Sequence, residues 1–167
     1  GLGRSTIPLA RVAHRVVAFD ASLLRMRFLK RLAVKNGLSN IDVFVGDIFD
    51  LPLRRGSFDL VAMNGILEWV GKTDRFKDPR VAQVTCLRIC RDLLKPGGRL
   101  YVGIENRFAA AYLRGTDHSG LRYTSFLPRI VAGLYSRLRG HGRYDTYTYS
   151  MSGYEKLFHE AGFRKSD

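Results

Sequence analysis

Cysteine is scarce in this sequence: only Cys86 and Cys90 occur among 167 residues. They stand four apart in a stretch of helical character with no histidine close by. That spacing argues against a disulfide framework or a zinc site and predicts two buried thiols on one helix face. Long apolar runs are also missing. Runs such as "VVAF" and "LVAM" have the length of a strand, far below the ~20 residues that cross a bilayer. No membrane span is expected, and with no charged-then-apolar leader in view the expected location is the cytoplasm. Acidic residues are few, 15 against 28 Lys and Arg, for a net charge of +13. The imbalance implies an anionic partner: nucleic acid, a phosphorylated or acidic saccharide, or a membrane surface. The basic residues are mostly arginines scattered among apolar ones, so charge alone selects none of these. Repeats and low-complexity tracts are absent.

What is present is an alternation of short β-rich runs with helical stretches, which predicts an α/β domain with a mostly parallel sheet. Strands are expected at "HRVVAFD" (14–20), "IDVFVGD" (41–47), "FDLVAMN" (58–64) and "RLYVGIE" (99–105). A helix follows the first strand, with Leu24, Phe28, Leu32 and Lys35 at helical spacing and "NG" (36–37) as its stop. Asp78-Pro79 reads as a cap and first-turn proline, opening a helix with Ala82, Cys86, Ile89 and Leu93 as its buried stripe. "KPGG" (95–98) is expected to end that helix in a turn. The last helix, "GYEKLFHEAGF", pairs Ser152 with Glu155 at capping-box spacing and stops at Gly162. Residues 107–148 read poorly as sheet and are expected to form an insertion over the strand ends.

Parallel α/β sheets bind ligands beyond the carboxyl ends of their strands. The residues there are Gly1 and Gly3, then Asp20, Asp47, and Asn64-Gly65. A glycine turn lets backbone approach a ligand closely and aims helix amides at it. An acid ending a strand can accept both hydroxyls of a ribose, and one a strand further on can accept from the adenine amine. Together these features describe a pocket for an adenosine-containing cofactor. A dinucleotide fingerprint is not met, because the sixth position from Gly1 is Thr6.

In this order the motifs resemble those of the class I S-adenosylmethionine-dependent methyltransferases, type 11-like, over nearly all of the chain to 106 and again over 152–163. "GLGRST" looks like the latter part of the family's glycine motif, "VVAFDAS" like the segment with the ribose-binding acid, and "VGDIFDLPL" like the adenine-contacting segment. "SFDLVAMNGILEWVG" is similar to the family's fourth-strand motif, and "LLKPGGRLYVGIEN" to its helix-turn-strand. The resemblance implies a Rossmann-like three-layer α/β/α fold and S-adenosylmethionine as cofactor. The cofactor contacts carried over are Gly1, Gly3, Asp20, Ala21, Asp47, Ile48, Asn64 and Gly65. It also implies a fragment incomplete at both termini, without the family's first strand and C-terminal hairpin, and weak folding and cofactor binding for 1–167 taken alone. No metal is implied.

Methyl transfer from a sulfonium is an in-line displacement, so the protein mainly positions the partners and excludes water, with a base only where the acceptor must lose a proton. His118, in the polar loop "GTDHSG", is the best-placed histidine for a base, and Glu68 could act as base or hold the cofactor's amino group. Trp69, Glu105 and Asn106, at strand ends, are candidate acceptor contacts. The insertion carries seven arginines against Asp117 and Asp145. Arginine forks suit phosphate or carboxylate, and Arg107, Arg114 and Arg122 are the candidates. The expected activity is methyl transfer (EC 2.1.1.-) to an anionic small-molecule or saccharide acceptor in a bacterial cell. Two alternatives are an RNA methyltransferase and a non-catalytic binding module that keeps the fold. The charge favours RNA. Against it, "NGILEW" lacks the Asn/Asp-Pro-Pro-aromatic of an adenine-N6 enzyme, and no cysteine nucleophile of the cytosine-C5 type follows the strand.

Overall fold

The computed structural model describes residues 2–115 and 117–164. The chain divides into two compact units, Gly1–Leu53 and Arg54–Asp167. Each holds one strand–helix–strand repeat, the unit that parallel pairing requires because a tight turn cannot return the chain in the same direction.

In the first unit, α1 (Thr6–Ala10) precedes β1 (Val16–Asp20), α2 (Leu23–Lys35) and β2 (Ile41–Val45). β1 and β2 pair in parallel from Val16↔Ile41 to Asp20↔Val45. Ser22 caps α2 by accepting from the Arg25 amide, and Gly37 at φ +67° follows its end, as "NG" predicts. Of Leu24, Phe28, Leu32 and Lys35, which share helical spacing, only Leu32 packs on the core. Met26, Leu29 and Ala33 pack with Ile7, while Leu24 and Phe28 are exposed. Both sets have helical spacing; spacing identifies a stripe but does not say which of two apolar stripes meets the sheet.

In the second unit, β3 (Phe58–Asn64), α3 (Pro79–Leu93) and β4 (Leu94–Gly103) form the repeat. Asp78 caps α3 with Pro79 in its first turn, as expected. Ala82, Cys86 and Leu93 are buried, joined by Leu87 and Cys90, so both thiols lie in the core. Ile89 is half-buried. The fourth strand starts earlier than expected. Leu94 already pairs with Phe58, and the next partner, Leu60↔Arg99, leaves the "KPGG" segment bulged within the strand. The turn chemistry was read correctly, with Gly97 at φ +78°, but pairing resumes on both sides of it.

Residues 107–148 contain α4 (Ala110–Leu113) and α5 (Arg129–Leu138), and the described residues between them are mostly turns and bends. α6 (Met151–Glu160) packs on α3, with Arg80 paired to Glu160 at 2.7 Å. Its cap is Ser150, which accepts from the Gly153 amide, not Ser152, whose hydroxyl instead meets that of Ser150 at 3.2 Å. Two serines stand two residues apart, and only the first has the extended backbone a cap needs.

Candidate active site

In the first unit, the carboxyl ends of β1 and β2 carry the two predicted acids. Asp20 accepts from the Ser22 amide at 2.9 Å and pairs with Arg25 at 3.4 Å. Asp47 is exposed and accepts from the Phe49 amide at 3.0 Å, capping a single 3-10 turn over Ile48–Asp50. Ala21 is exposed and Ile48 half-buried beside them. Gly3 is buried at φ +88°, and a Cβ there would lie 2.8 Å from the Leu29 side chain. Only glycine makes this turn while packing on α2. The expectation for Gly1 lies outside the described residues.

In the second unit, β3 and β4 end side by side at Asn64 and Gly103. A Cβ on Gly103 would collide with Oδ1 of Asn64, so the bare backbone is what lets that side chain lie across the strand end. Gly65 donates to the Gly103 carbonyl at 2.8 Å and turns the chain at φ +62°. Beyond these ends lies an open cavity of about 260 Å³, lined by Asn64, Gly65, Glu68, Gly103, Ile104 and Glu105.

Two carboxylates, Glu68 and Glu105, line this cavity, and His118 lies against the second. Glu68 is 2% exposed, and its Oε2 has no hydrogen-bond partner among the described residues. Burial raises its carboxyl above the ordinary glutamate range; Glu105 adds to the effect, while a backbone hydrogen bond, His118 and Trp69 oppose it. His118 Nε2 lies 3.3 Å from Oε2 of Glu105, close enough for charge attraction but out of line for a hydrogen bond. The imidazole packs against Trp69 at 5.1 Å and edge-on to Tyr112 at 5.8 Å between ring centres. The Tyr112 hydroxyl is buried without a partner satisfying hydrogen-bond geometry, and burial with the facing Glu105 carboxylate pushes its phenol far up. Asp117 holds this loop, accepting from the Ser125 amide at 2.7 Å and the Ser125 hydroxyl at 3.2 Å.

The other candidates fare unequally. Trp69 is 37% exposed beside His118, with the Lys72 ammonium 5.4 Å from its ring. Asn106 spends its side-chain oxygen capping the Phe108 amide at 2.9 Å. The Arg107 guanidinium donates to the carbonyls of Ser125, Phe126 and Leu127 at 3.0–3.1 Å, which makes it a strut inside the insertion and corrects its reading as an acceptor contact. Arg114 and Arg122 are exposed, and the Arg122 side chain runs against Gly115, next to Arg114.

Sequence reasoning missed Gln83. Fully buried on α3, it donates to the carbonyls of Leu67 and Tyr147 and accepts from the Tyr149 hydroxyl at 2.8 Å. It thereby fixes the backbone immediately before Glu68. The available signal was a lone amide next to Ala82 in an otherwise apolar stripe.

The protonation of Glu68 gives a stability test. Its folded pKa is raised, so the folded state binds the proton more tightly than the unfolded one. That stabilisation is complete at acid pH and is lost as pH rises from the ordinary glutamate range through the raised value. Glu68→Gln carries no charge to desolvate. It is expected to melt above the parent at neutral pH, with the difference vanishing below the ordinary glutamate range. A variant that melts lower at neutral pH would show the carboxylate to be structurally satisfied.

A family sequence model described as a methyltransferase domain matches residues 1–102. The chain belongs to the S-adenosylmethionine-dependent methyltransferases. S-adenosylmethionine is the family's methyl donor. The chain is 34% identical over 113 residues to the 23S rRNA (uracil(1939)-C(5))-methyltransferase RlmD of Aeromonas salmonicida, covering 60% of this chain and 26% of that protein. It is 31% identical over 113 residues to the ubiquinone biosynthesis O-methyltransferase of Xanthomonas euvesicatoria pv. vesicatoria, covering 67% and 43%. The matched regions thus span under half the length of these bacterial relatives. The YcgJ protein of Bacillus subtilis shares the fold, with a TM-score of 0.63, 18% identity and coverage of 96% of this chain and 57% of that one. The Rossmann-like α/β methyltransferase fold is therefore as expected. Among the described residues no helix is long and apolar enough to cross a membrane, and no group of three His, Cys, Asp or Glu could hold a metal.

Proposed function

We propose that the protein transfers the methyl group of S-adenosylmethionine to a hydroxyl of a small, anionic, saccharide-type acceptor, with His118 as the base. The observation that supports this most is the 260 Å³ cavity walled by Glu68 and Glu105, with the Glu68 Oε2 buried and unpartnered, His118 Nε2 3.3 Å from Glu105, and the buried Tyr112 hydroxyl packed beside that histidine. Buried polar groups are normally satisfied, and a cluster left open is suited to a polar ligand.

The residues fit the donor. Glu68 offers a buried carboxylate to its cationic amino-acid end, and Gly65 and Gly103 leave backbone bare at the strand ends. In the roles the resemblance assigns, Asp20 with Ala21 and Asp47 with Ile48 hold the nucleoside, Gly3 supports the turn, and Asn64 with Gly65 contacts the methionine portion. When bound, the donor supplies a methyl already activated on sulfur. The chain's own residues do the rest. His118 takes the acceptor's proton, with the Glu105 carboxylate 3.3 Å from its Nε2. Trp69 and Tyr112 flank the ring and exclude water. Arg114 and Arg122 hold the acceptor's anionic group, so residues 107–148 act as the recognition insertion of one methyltransferase domain.

A hydroxyl acceptor is favoured over a pyrimidine carbon. Methylation at such a carbon needs a nucleophile to add to the ring first. The chain's two cysteines are both 0% exposed on α3. Incubation with methyl-labelled S-adenosylmethionine and cell extract, followed by sorting of the label by molecular class, tests the proposal. Label in small anionic molecules or saccharides is the expected result. Label in RNA would replace it with the ribosomal-RNA reading, and none in any class with a non-catalytic module.

A further inference from the structure

Helix α5 turns the wrong side inward. Its buried residues are the small ones, Ala132 and Ser136. Ile130, Leu134 and Leu138, each one turn from the next, are 88%, 59% and 76% exposed, and Val131 is 46% exposed beside them. At the ~100° advance per residue of a helix, these four share one arc of about 100° and Arg137 lies at its edge. An apolar stripe this continuous on the outside of an amphipathic helix marks an interaction surface, unlike single scattered leucines.

Charge indicates what covers it. Between Asp117 and Asp145 the sequence has five arginines and no acidic residue. Two of the five are engaged within the fold: Arg129 lies 4.1 and 4.3 Å from the Tyr147 and Tyr149 ring centres, and Arg143 donates to the carbonyls of Gly71, Thr73, Phe76 and Lys77. Arg137 and Arg139 are exposed at the end of the helix, next to Leu138. RNA would use the arginines but gains little from a row of aliphatic side chains. A second copy would bring the same positive face and repel. An apolar arc rimmed by arginine suits a helix lying in the headgroup layer of an anionic bilayer.

We propose that α5 docks the protein on an anionic phospholipid surface. Ile130, Leu134 and Leu138 enter the acyl boundary, and Arg137 and Arg139 meet headgroup phosphates. This surface is independent of the acceptor chemistry proposed above.

Co-sedimentation with lipid vesicles tests it. The protein should pellet with phosphatidylcholine vesicles containing phosphatidylglycerol, weakly with phosphatidylcholine alone, and less as salt rises. The double variant Ile130→Asp, Leu134→Asp should bind about 100-fold more weakly, because two aliphatic side chains leave the acyl boundary. Arg137→Gln with Arg139→Gln should cost about 25-fold, five-fold per arginine. All four positions are exposed, so unchanged melting temperatures would confirm intact folding. Equal pelleting with neutral vesicles, or an Asp variant that pellets like the parent, would overturn the proposal. So would a dimer that Leu134→Asp separates into monomers, or RNA binding in place of vesicle binding.

Discussion

His118→Ala is expected to slow methyl transfer by about 10²–10⁴-fold, the usual contribution of a positioned base, with the affinity for S-adenosylmethionine unchanged. The size of the effect follows from the surroundings of the ring. His118 is held between Trp69 and Tyr112, with Glu105 at 3.3 Å. Its loop is braced by Asp117 on Ser125, so the ring's position does not depend on the acceptor. The loss should shrink as pH rises, because an acceptor hydroxyl that ionises by itself no longer needs a base. Glu105→Gln should reproduce a smaller part of the loss, roughly ten-fold, by removing the carboxylate beside Nε2. Single-turnover rates across pH separate these effects from binding. A change confined to acceptor KM, with kcat intact at every pH, would make His118 a binding residue and leave the base unassigned.

Asp20→Ala is expected to weaken S-adenosylmethionine binding by about 100-fold, since two hydrogen bonds to a carboxylate are each worth roughly 1.5 kcal/mol or more. The carboxylate is 15% exposed at the end of β1, adjacent in register to the end of β2, where Asp47 follows. It also accepts from the Ser22 amide and pairs with Arg25, so part of any loss could come from a loosened start to α2. Asp20→Asn separates the two effects: it keeps an oxygen for Ser22 but removes the charge, and should fall between parent and alanine in affinity while melting like the parent. Calorimetric titration with S-adenosylhomocysteine is the measurement. Parent-like affinity for the alanine variant would remove Asp20 from the cofactor site.

Most of the framework was legible because it is written in local chemistry. Asp78-Pro79 and Gly37 start or stop helices through their own neighbours, and the nearly continuous apolar run at 58–64 forms a strand, although Asp59, Leu60, Ala62 and Asn64 are exposed along it. The errors lie where tertiary contacts decide. The face of α2 that packs, 26/29/33 with Leu32 beside it and not 24/28, depends on where Ile7 and the strands stand. The choice of Ser150 over Ser152 as a cap turns on one backbone angle. Arg107 looked like a ligand contact because arginine is costly to bury, and only the fold reveals three carbonyls 18 to 20 residues away that satisfy it. The gathering of Glu68, Glu105, Tyr112 and His118 spans half a hundred positions; all but Tyr112 could be named singly from the sequence, but the group could not be assembled. Gln83 gave the faintest signal, one polar residue in an apolar stripe, and holds the backbone beside the site.

The most direct measurement is a crystal structure of the protein with S-adenosylhomocysteine. The ribose hydroxyls should lie within hydrogen-bond distance of the Asp20 carboxylate, with the adenine amine facing Asp47. Adenosine lodged away from both carboxylates would contradict the proposed cofactor site and the chemistry built on it.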